Sequence, residues 1–128
     1  MILMDMKTYK LLEGETNPPT DFCNPGSARF IELDDPIADA IAVLNRKGYR
    51  TAFCCSGHAG TRYMPVVAYI QYEFGCITPE HLPAGWEYIK DGHMEYVYTS
   101  FGVALEGEIA ANMKSLATWA KELPDTTV

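Results

Sequence analysis

The chain has 128 residues, of which 48% are hydrophobic and 21% charged, and carries a net charge of −7 at pH 7. This length and balance fit one globular domain with a real core and exclude a disordered chain. The acidic excess, with no run of Lys or Arg, argues against nucleic acid and anionic membranes as partners, because both are bound through clustered cations.

In chain order, MILMDMKTYK has no basic start and meets Asp5 before any apolar run develops, so no secretory leader is expected. No later stretch approaches the ~20 apolar residues of a membrane span. Residues 5–12 alternate in character and predict a half-buried strand. Residues 15–27 hold three prolines, a glycine and several turn formers, and predict a loop. ARFIEL (28–33) reads as a short strand. A helix over 35–47 follows, with Asp34 or Asp35 as N-cap, Pro36 in the first turn and Gly48 as the stop. Its apolar residues Ile37, Ala40, Ile41 and Leu44 recur at helical spacing.

YRTAFCC (49–55) is apolar on both faces and predicts a strand at the centre of a sheet. PVVAYIQYEF (65–74) is a second strand. Residues 86–101 predict a hairpin turning at Asp91-Gly92 through a type I′ turn, with His93 facing Lys90 on a solvated face. Residues 105–124 predict a closing helix with the stripe Leu105, Ile109, Met113, Leu116, Ala120 and Leu123. Strands without a repeated βαβ unit, and two segregated helices, give an α+β fold: a mostly antiparallel sheet with two main helices packed on it, in one domain over 1–128. The hairpin aromatics Trp86, Tyr88, Tyr96, Tyr98 and Phe101 exceed what one small sheet face needs. That excess predicts a homodimer covering some of them.

Four cysteines without an export signal imply free thiols in a cytoplasmic setting. Adjacent Cys54 and Cys55 would face opposite sides of a strand and could pair only in strained geometry. The chemistry concentrates in FCCSGHAGTR, residues 53–62. Cys55 with His58 is the candidate catalytic pair, a thiol with an imidazole to favour its thiolate. Ser56, Gly57 and Arg62 are the candidate ligand-binding residues: a hydroxyl, a turn exposing backbone N–H groups, and a guanidinium for an anionic small molecule. Cys55-x-x-His58 could begin a zinc site with Cys23, Cys76, His81 or His93, but paired short spacings are missing and no metal ligand is assigned. In the plainest alternative, Cys54 fills the core and Ser-Gly-His merely ends a strand.

Leu44-Asn45, Tyr49-Arg50-Thr51 and Cys55-Ser56-Gly57 resemble the asparagine, Y-x-T and S-C-S-G-R pattern of the third enzyme of tRNA wybutosine synthesis, over roughly 15 residues. The chain is similar also to small bacterial and phage-like proteins with a C-S-G-H loop after the same helix and strand. The first resemblance implies an α+β fold, methyl transfer from S-adenosylmethionine to a tRNA guanosine derivative, and a site at Cys55, Ser56 and Gly57. His58 stands where that family has arginine. The expected function is thus a polar ligand-binding or active-site loop. The competing class is a non-enzymatic accessory or phage-related module in which the loop is only structural. Residue patterns by themselves name no substrate, reaction or cofactor.

Overall fold

A computed structural model describes residues 2–12, 30–57, 66–98 and 105–127. The loop expected over 15–27, with Cys23, lies outside these residues, as do His58, Arg62 and Phe101. Strand β1 (Ile2–Asp5) pairs antiparallel with β2 (Leu11–Leu12) on one side and with β3 (Phe30–Leu33) on the other. The continuous strand expected over 5–12 is broken by a turn. Asp5 Oδ1 accepts the N–H of Lys7 at 2.9 Å, Asp5 O accepts that of Tyr9 at 2.7 Å, and Tyr9 takes a φ of 56°. A short acidic side chain bonding its own backbone two residues on competes directly with a strand ladder.

Helix α1 spans Asp35–Arg46, one residue shorter than the predicted 35–47, with Pro36 in its first turn. Gly48 ends it at φ 97°. The N–H of Gly48 bonds Asn45 O and that of Tyr49 bonds Leu44 O, the paired bonds of a Schellman motif. A Cβ at residue 48 would also run into Thr126. Ile37, Ala38, Ala40, Ile41, Ala42, Leu44 and Asn45 are all buried, an arc of about 200° at 3.6 residues per turn. So wide an arc suits a helix covered from several sides, and α1 touches β1, β2, β4 and α2.

The second sheet is antiparallel throughout, in the order β4 (Thr51–Cys55), β5 (Val66–Tyr72), β7 (His93–Tyr98), β6 (Glu87–Lys90). The fold is α+β as expected, with the antiparallel strands divided between two sheets. Strand β4 corrects one expectation: among the described residues it pairs with β5 alone and forms an edge, while β5 is internal. Its two-sided apolar character does not mean two-sided burial. Thr51 is buried and Cys54 packs against the core, whereas Phe53 is 64% exposed, and the register slips between Thr51 and Phe53. Irregular pairing of this kind is common at sheet edges. The hairpin turns at Asp91-Gly92, but not through a type I′ turn, which needs positive φ at both residues. Gly92 has φ 73°, Asp91 has no positive φ, and the register shifts between Tyr88 and Lys90 instead.

Helix α2 (Leu105–Glu122) buries Ile109, Met113, Leu116 and Ala120 along the predicted stripe. Of the hairpin aromatics that motivated a second subunit, Trp86 and Tyr98 are buried and Tyr96 is half-buried within the chain, while Tyr88 is exposed. Lys47, just past α1, donates from Nζ to the carbonyls of Ala120 (3.0 Å), Lys121 and Leu123 (2.7 Å) at the end of α2. A cation on these carbonyls answers the negative end of the helix dipole. Tyr49 OH donates to Pro124 O at 3.0 Å beside it. The two C-terminal ends therefore meet, the helices run parallel, and their N-terminal ends come together at the far end of β4.

Asn45 ties α1 to the start of that strand. Its amide donates to Ile41 O (2.8 Å) and Thr51 Oγ1 (3.0 Å), and its Oδ1 accepts the N–H of Thr51 (3.1 Å). The asparagine and the threonine of the resembled pattern thus form a buried clamp. Asn45→Ala leaves Thr51 N–H without a partner in a buried site and should cost about 2–4 kcal/mol. Urea unfolding reads this as a lower midpoint at unchanged slope. An unchanged midpoint would show that the clamp contributes nothing.

Candidate functional site

The end of β4 carries three of the candidate residues. Strand alternation puts Cys54 toward the core and Cys55 on the other face; Ser56 is 3% exposed, and Gly57 turns the chain at φ 91°. Asp34, at the N-cap position of α1, makes no side-chain cap of its own helix. Its carboxylate instead accepts the N–H of Ser56 (3.4 Å) and the Ser56 hydroxyl (3.3 Å), and it also interacts with the Cys55 thiol. The expected capping role of Asp34 is replaced by a bond across to β4, because the strand end offers donors that a short carboxylate can reach.

This arrangement changes what the turn can bind. An anion cradle needs the N–H groups of Ser56 and Gly57 open and converging. The Ser56 N–H is engaged by a carboxylate, and the Gly57 N–H donates to Cys55 Sγ at 3.4 Å. An incoming anion would have to displace Asp34. The carbonyl of Ser56 is engaged as well: Tyr98 OH donates to it at 3.3 Å, Asn112 Nδ2 donates to Tyr98 OH at 2.8 Å, and Trp86 Nε1 donates to Asn112 Oδ1 at 3.1 Å. A buried, partnered chain of polar groups thus runs from Trp86, just before β6, through α2 and β7 to the turn, and on to α1. Asn112 carried no signal as a lone polar residue in a helix. It becomes visible only when α2 is laid on β7.

The thiols are not activated by their described surroundings. Burial, the Asp34 charge and the neighbouring Cys55 push the Cys54 thiol up to about 12. Cys55 is also raised, first by burial; the Gly57 N–H lowers it, while the charge and hydrogen bond of Asp34 raise it. Cys76 lies elsewhere, 3.7 Å from Glu73 Oε2. His81 is exposed, and its carbonyl accepts Trp119 Nε1 at 2.9 Å. His93 does not lie on a solvated face: its side chain is 17% exposed, stacks on Tyr69 at 5.7 Å and places Nε2 2.9 Å from Glu95 Oε1. Among the described residues no three His, Cys, Asp or Glu side chains gather as a metal site would require.

Beside the turn opens a groove of about 1040 Å³ between the two parallel helices. Ser56 and Gly57 line one end together with Asp34, Asp35, Asp39 and Glu106. Ile109, Ala110, Met113 and Ala117 form an apolar wall, with Lys114 among them and Lys121 farther along α2. The volume is at the upper end of small-molecule sites. No protein-family model, curated protein or solved structure matches the chain.

Two outcomes follow from the thiol environment. The raised Cys54 ionisation contributes stability that is intact below pH 9 and is lost as pH rises toward about 12, because the unfolded chain ionises first. Cys54→Val should flatten that alkaline limb in unfolding measured pH by pH. An identical limb in the variant would show that Cys54 is not desolvated. Asp34→Asn removes the charge that disfavours the Cys55 thiolate, so alkylation of Cys55 at pH 8, followed by peptide mass mapping, should speed up. Slower labelling would contradict the contact.

Proposed function

We propose that the chain is a small-molecule-binding protein whose ligand lies in the groove between the N-terminal half of α1 and the length of α2, against Ser56 and Gly57. The observation that carries this reading is the composition of that groove: carboxylates from the first turns of both helices, an apolar wall on α2, a lysine set within that wall and a second one beyond it. Such a lining is complementary to a ligand with a cationic or donor-rich head, an apolar body and an acceptor at the far end. The bond from Asp34 to the Ser56 N–H is the reason to replace the anionic small molecule expected from the loop with a ligand whose head is positive. Binding is proposed, not covalent catalysis through Cys55, since burial and Asp34 favour the protonated thiol.

S-adenosylmethionine, the cofactor implied by the resemblance to the wybutosine-synthesis enzyme, is the natural probe. It carries a sulfonium and an ammonium, with a carboxylate on the same carbon as the ammonium, and a flat aromatic base with hydrogen-bond acceptors at the other end. Methyl transfer would need a second substrate, and the groove lining by itself does not name one. In the competing reading the turn only ends β4, and the bonds of Ser56 to Asp34 and Tyr98 serve that role as well.

The experiment is a thermal-shift series with S-adenosylmethionine and with inorganic phosphate, on the native chain and on Ala110→Trp. Ala110 is exposed on the groove wall, so the larger side chain fills the groove without entering the core. Any ligand that binds only the folded state raises its melting temperature with concentration. S-adenosylmethionine should raise it in the native chain and not in Ala110→Trp, while phosphate should leave both unchanged. Stabilisation by phosphate alone, or an equal response in Ala110→Trp, would overturn the proposal.

A further inference from the structure

Strand β6 is the edge of the second sheet farthest from β4, and all four of its residues, Glu87, Tyr88, Ile89 and Lys90, are exposed. Ile89 is 58% exposed, and Tyr88, whose hydroxyl donates to Pro79 O, is 38% exposed. Among the described residues only β7 pairs with this strand. The register shift within β6 decides which side chains share a face. Glu87 stands opposite Glu95 and Lys90 opposite His93, two residues apart on β7, with Ile89 as the extra residue. Positions two apart on a strand point the same way, so Glu87 and Lys90 project from one face. A spacing of three in a regular strand would put them on opposite faces.

The cross-strand partners of these two charges are poor. Glu87 faces Glu95, a like charge whose carboxylate lies 2.9 Å from His93 Nε2. Lys90 faces His93 itself, whose ring is taken up by Glu95 and by stacking on Tyr69. Like charges directly opposite on a sheet face are destabilising, and among the described residues neither Glu87 nor Lys90 forms an ion pair. What the strand lacks within the chain it carries in its own reversed sequence. Laid antiparallel on a second copy, about a two-fold axis between Tyr88 and Ile89, Glu87 meets the partner's Lys90 and Tyr88 meets the partner's Ile89. Each pair then occurs twice. Opposite charges, and an aromatic against a β-branched side chain, are favourable cross-strand combinations.

We infer that the β6 edge is an interaction surface for a second copy of this chain, joining the two four-stranded sheets across a two-fold axis. The expected homodimer rests here on an edge with self-complementary charges rather than on surplus aromatics. A bulge and a lysine also serve to keep an edge unpaired. That role does not call for a glutamate at the matching position on the same face. Four residues a side bury less than the roughly 1,200 Å² of a stable interface, so the dimer is transient, with a dissociation constant on the order of 10⁻⁴ M. No residue of β6 lines the groove, so the inference is independent of the ligand proposed there.

The test is sedimentation velocity of the full chain from about 10 μM to about 1 mM, a range that brackets this constant. The native chain should pass from monomer to dimer as concentration rises. Glu87→Lys and Lys90→Glu should each weaken association at least about tenfold, since each sets like charges opposite one another twice. The double variant Glu87→Lys/Lys90→Glu should recover the native behaviour, and so should an equimolar mixture of the two single variants, because opposite signs then meet at every pair. Net charge alone predicts otherwise: Glu87→Lys brings the acidic chain nearer neutrality and would strengthen association. Both positions are exposed, and circular dichroism checks that each variant folds. If one single variant does not fold, the other and the double variant decide. A monomer at every concentration, association undiminished in either single variant, or no recovery in the double variant would each overturn the inference.

Discussion

The structure depends on α1 being held against β4 at both ends. At one end the Asn45 amide exchanges hydrogen bonds with Thr51; at the other the Asp34 carboxylate takes the donors of Ser56. An edge strand paired on one side only has half its ladder unfilled, and contacts from a neighbouring helix become its second support. With β4 so fixed, the 55–57 turn cannot move independently of the first turn of α1. Lys47 then fixes α2 through its terminal carbonyls, which makes the helices parallel and brings their N-terminal ends to that same turn. The groove opens beside that turn and extends along α2 to Lys121.

The electrostatics follow from the same arrangement. Two parallel helices present two positive dipole ends side by side, and the sequence answers with Asp35 in the first turn of α1 and Glu106 and Glu108 in that of α2. These carboxylates stabilise the helices, and Asp35 and Glu106 at the same time line the groove. A fold that brings helix N-termini together is often disposed to bind anions. Here the acidic residues, and Asp34 on the Ser56 N–H above all, reverse that disposition. The buried chain Trp86–Asn112–Tyr98–Ser56 fixes the turn from the other side, and a fully partnered polar network of this kind favours a single arrangement.

Much of the fold was legible because periodicity carries it. The limits of α1, the apolar stripe of α2, the strands over 66–72 and 93–98 and the turn at Asp91-Gly92 all stand close to where spacing and turn chemistry put them. The misreadings have physical reasons. Alternation over residues 5–12 was outcompeted by Asp5 bonding its own backbone, a signal present in the sequence as an Asp before Lys7 and Thr8. The apolar outer residues of β4 read as burial, yet Phe53 is largely exposed, since an edge strand can carry apolar residues toward solvent. The site was half legible. Cys55, Ser56 and Gly57 stood out by composition, but Asp34 read as a cap and Asn112 as nothing, because a polar residue in a helix shows its partner only in three dimensions. Asn45 and Thr51 stood out only as parts of a resembled pattern; that they bond each other directly shows only in three dimensions.

The central claim is that Asp34 is bonded to Ser56 and so converts the turn from an anion cradle into the floor of an acidic groove. A double-mutant cycle of Asp34→Ala and Ser56→Ala, read by urea unfolding, tests it most directly through the hydroxyl bond, since Ser56→Ala keeps the backbone N–H. Groups that share a charge-assisted hydrogen bond should show a coupling of about 1 kcal/mol or more. Effects that add to within about 0.3–0.5 kcal/mol, the behaviour of independent sites, would contradict the claim.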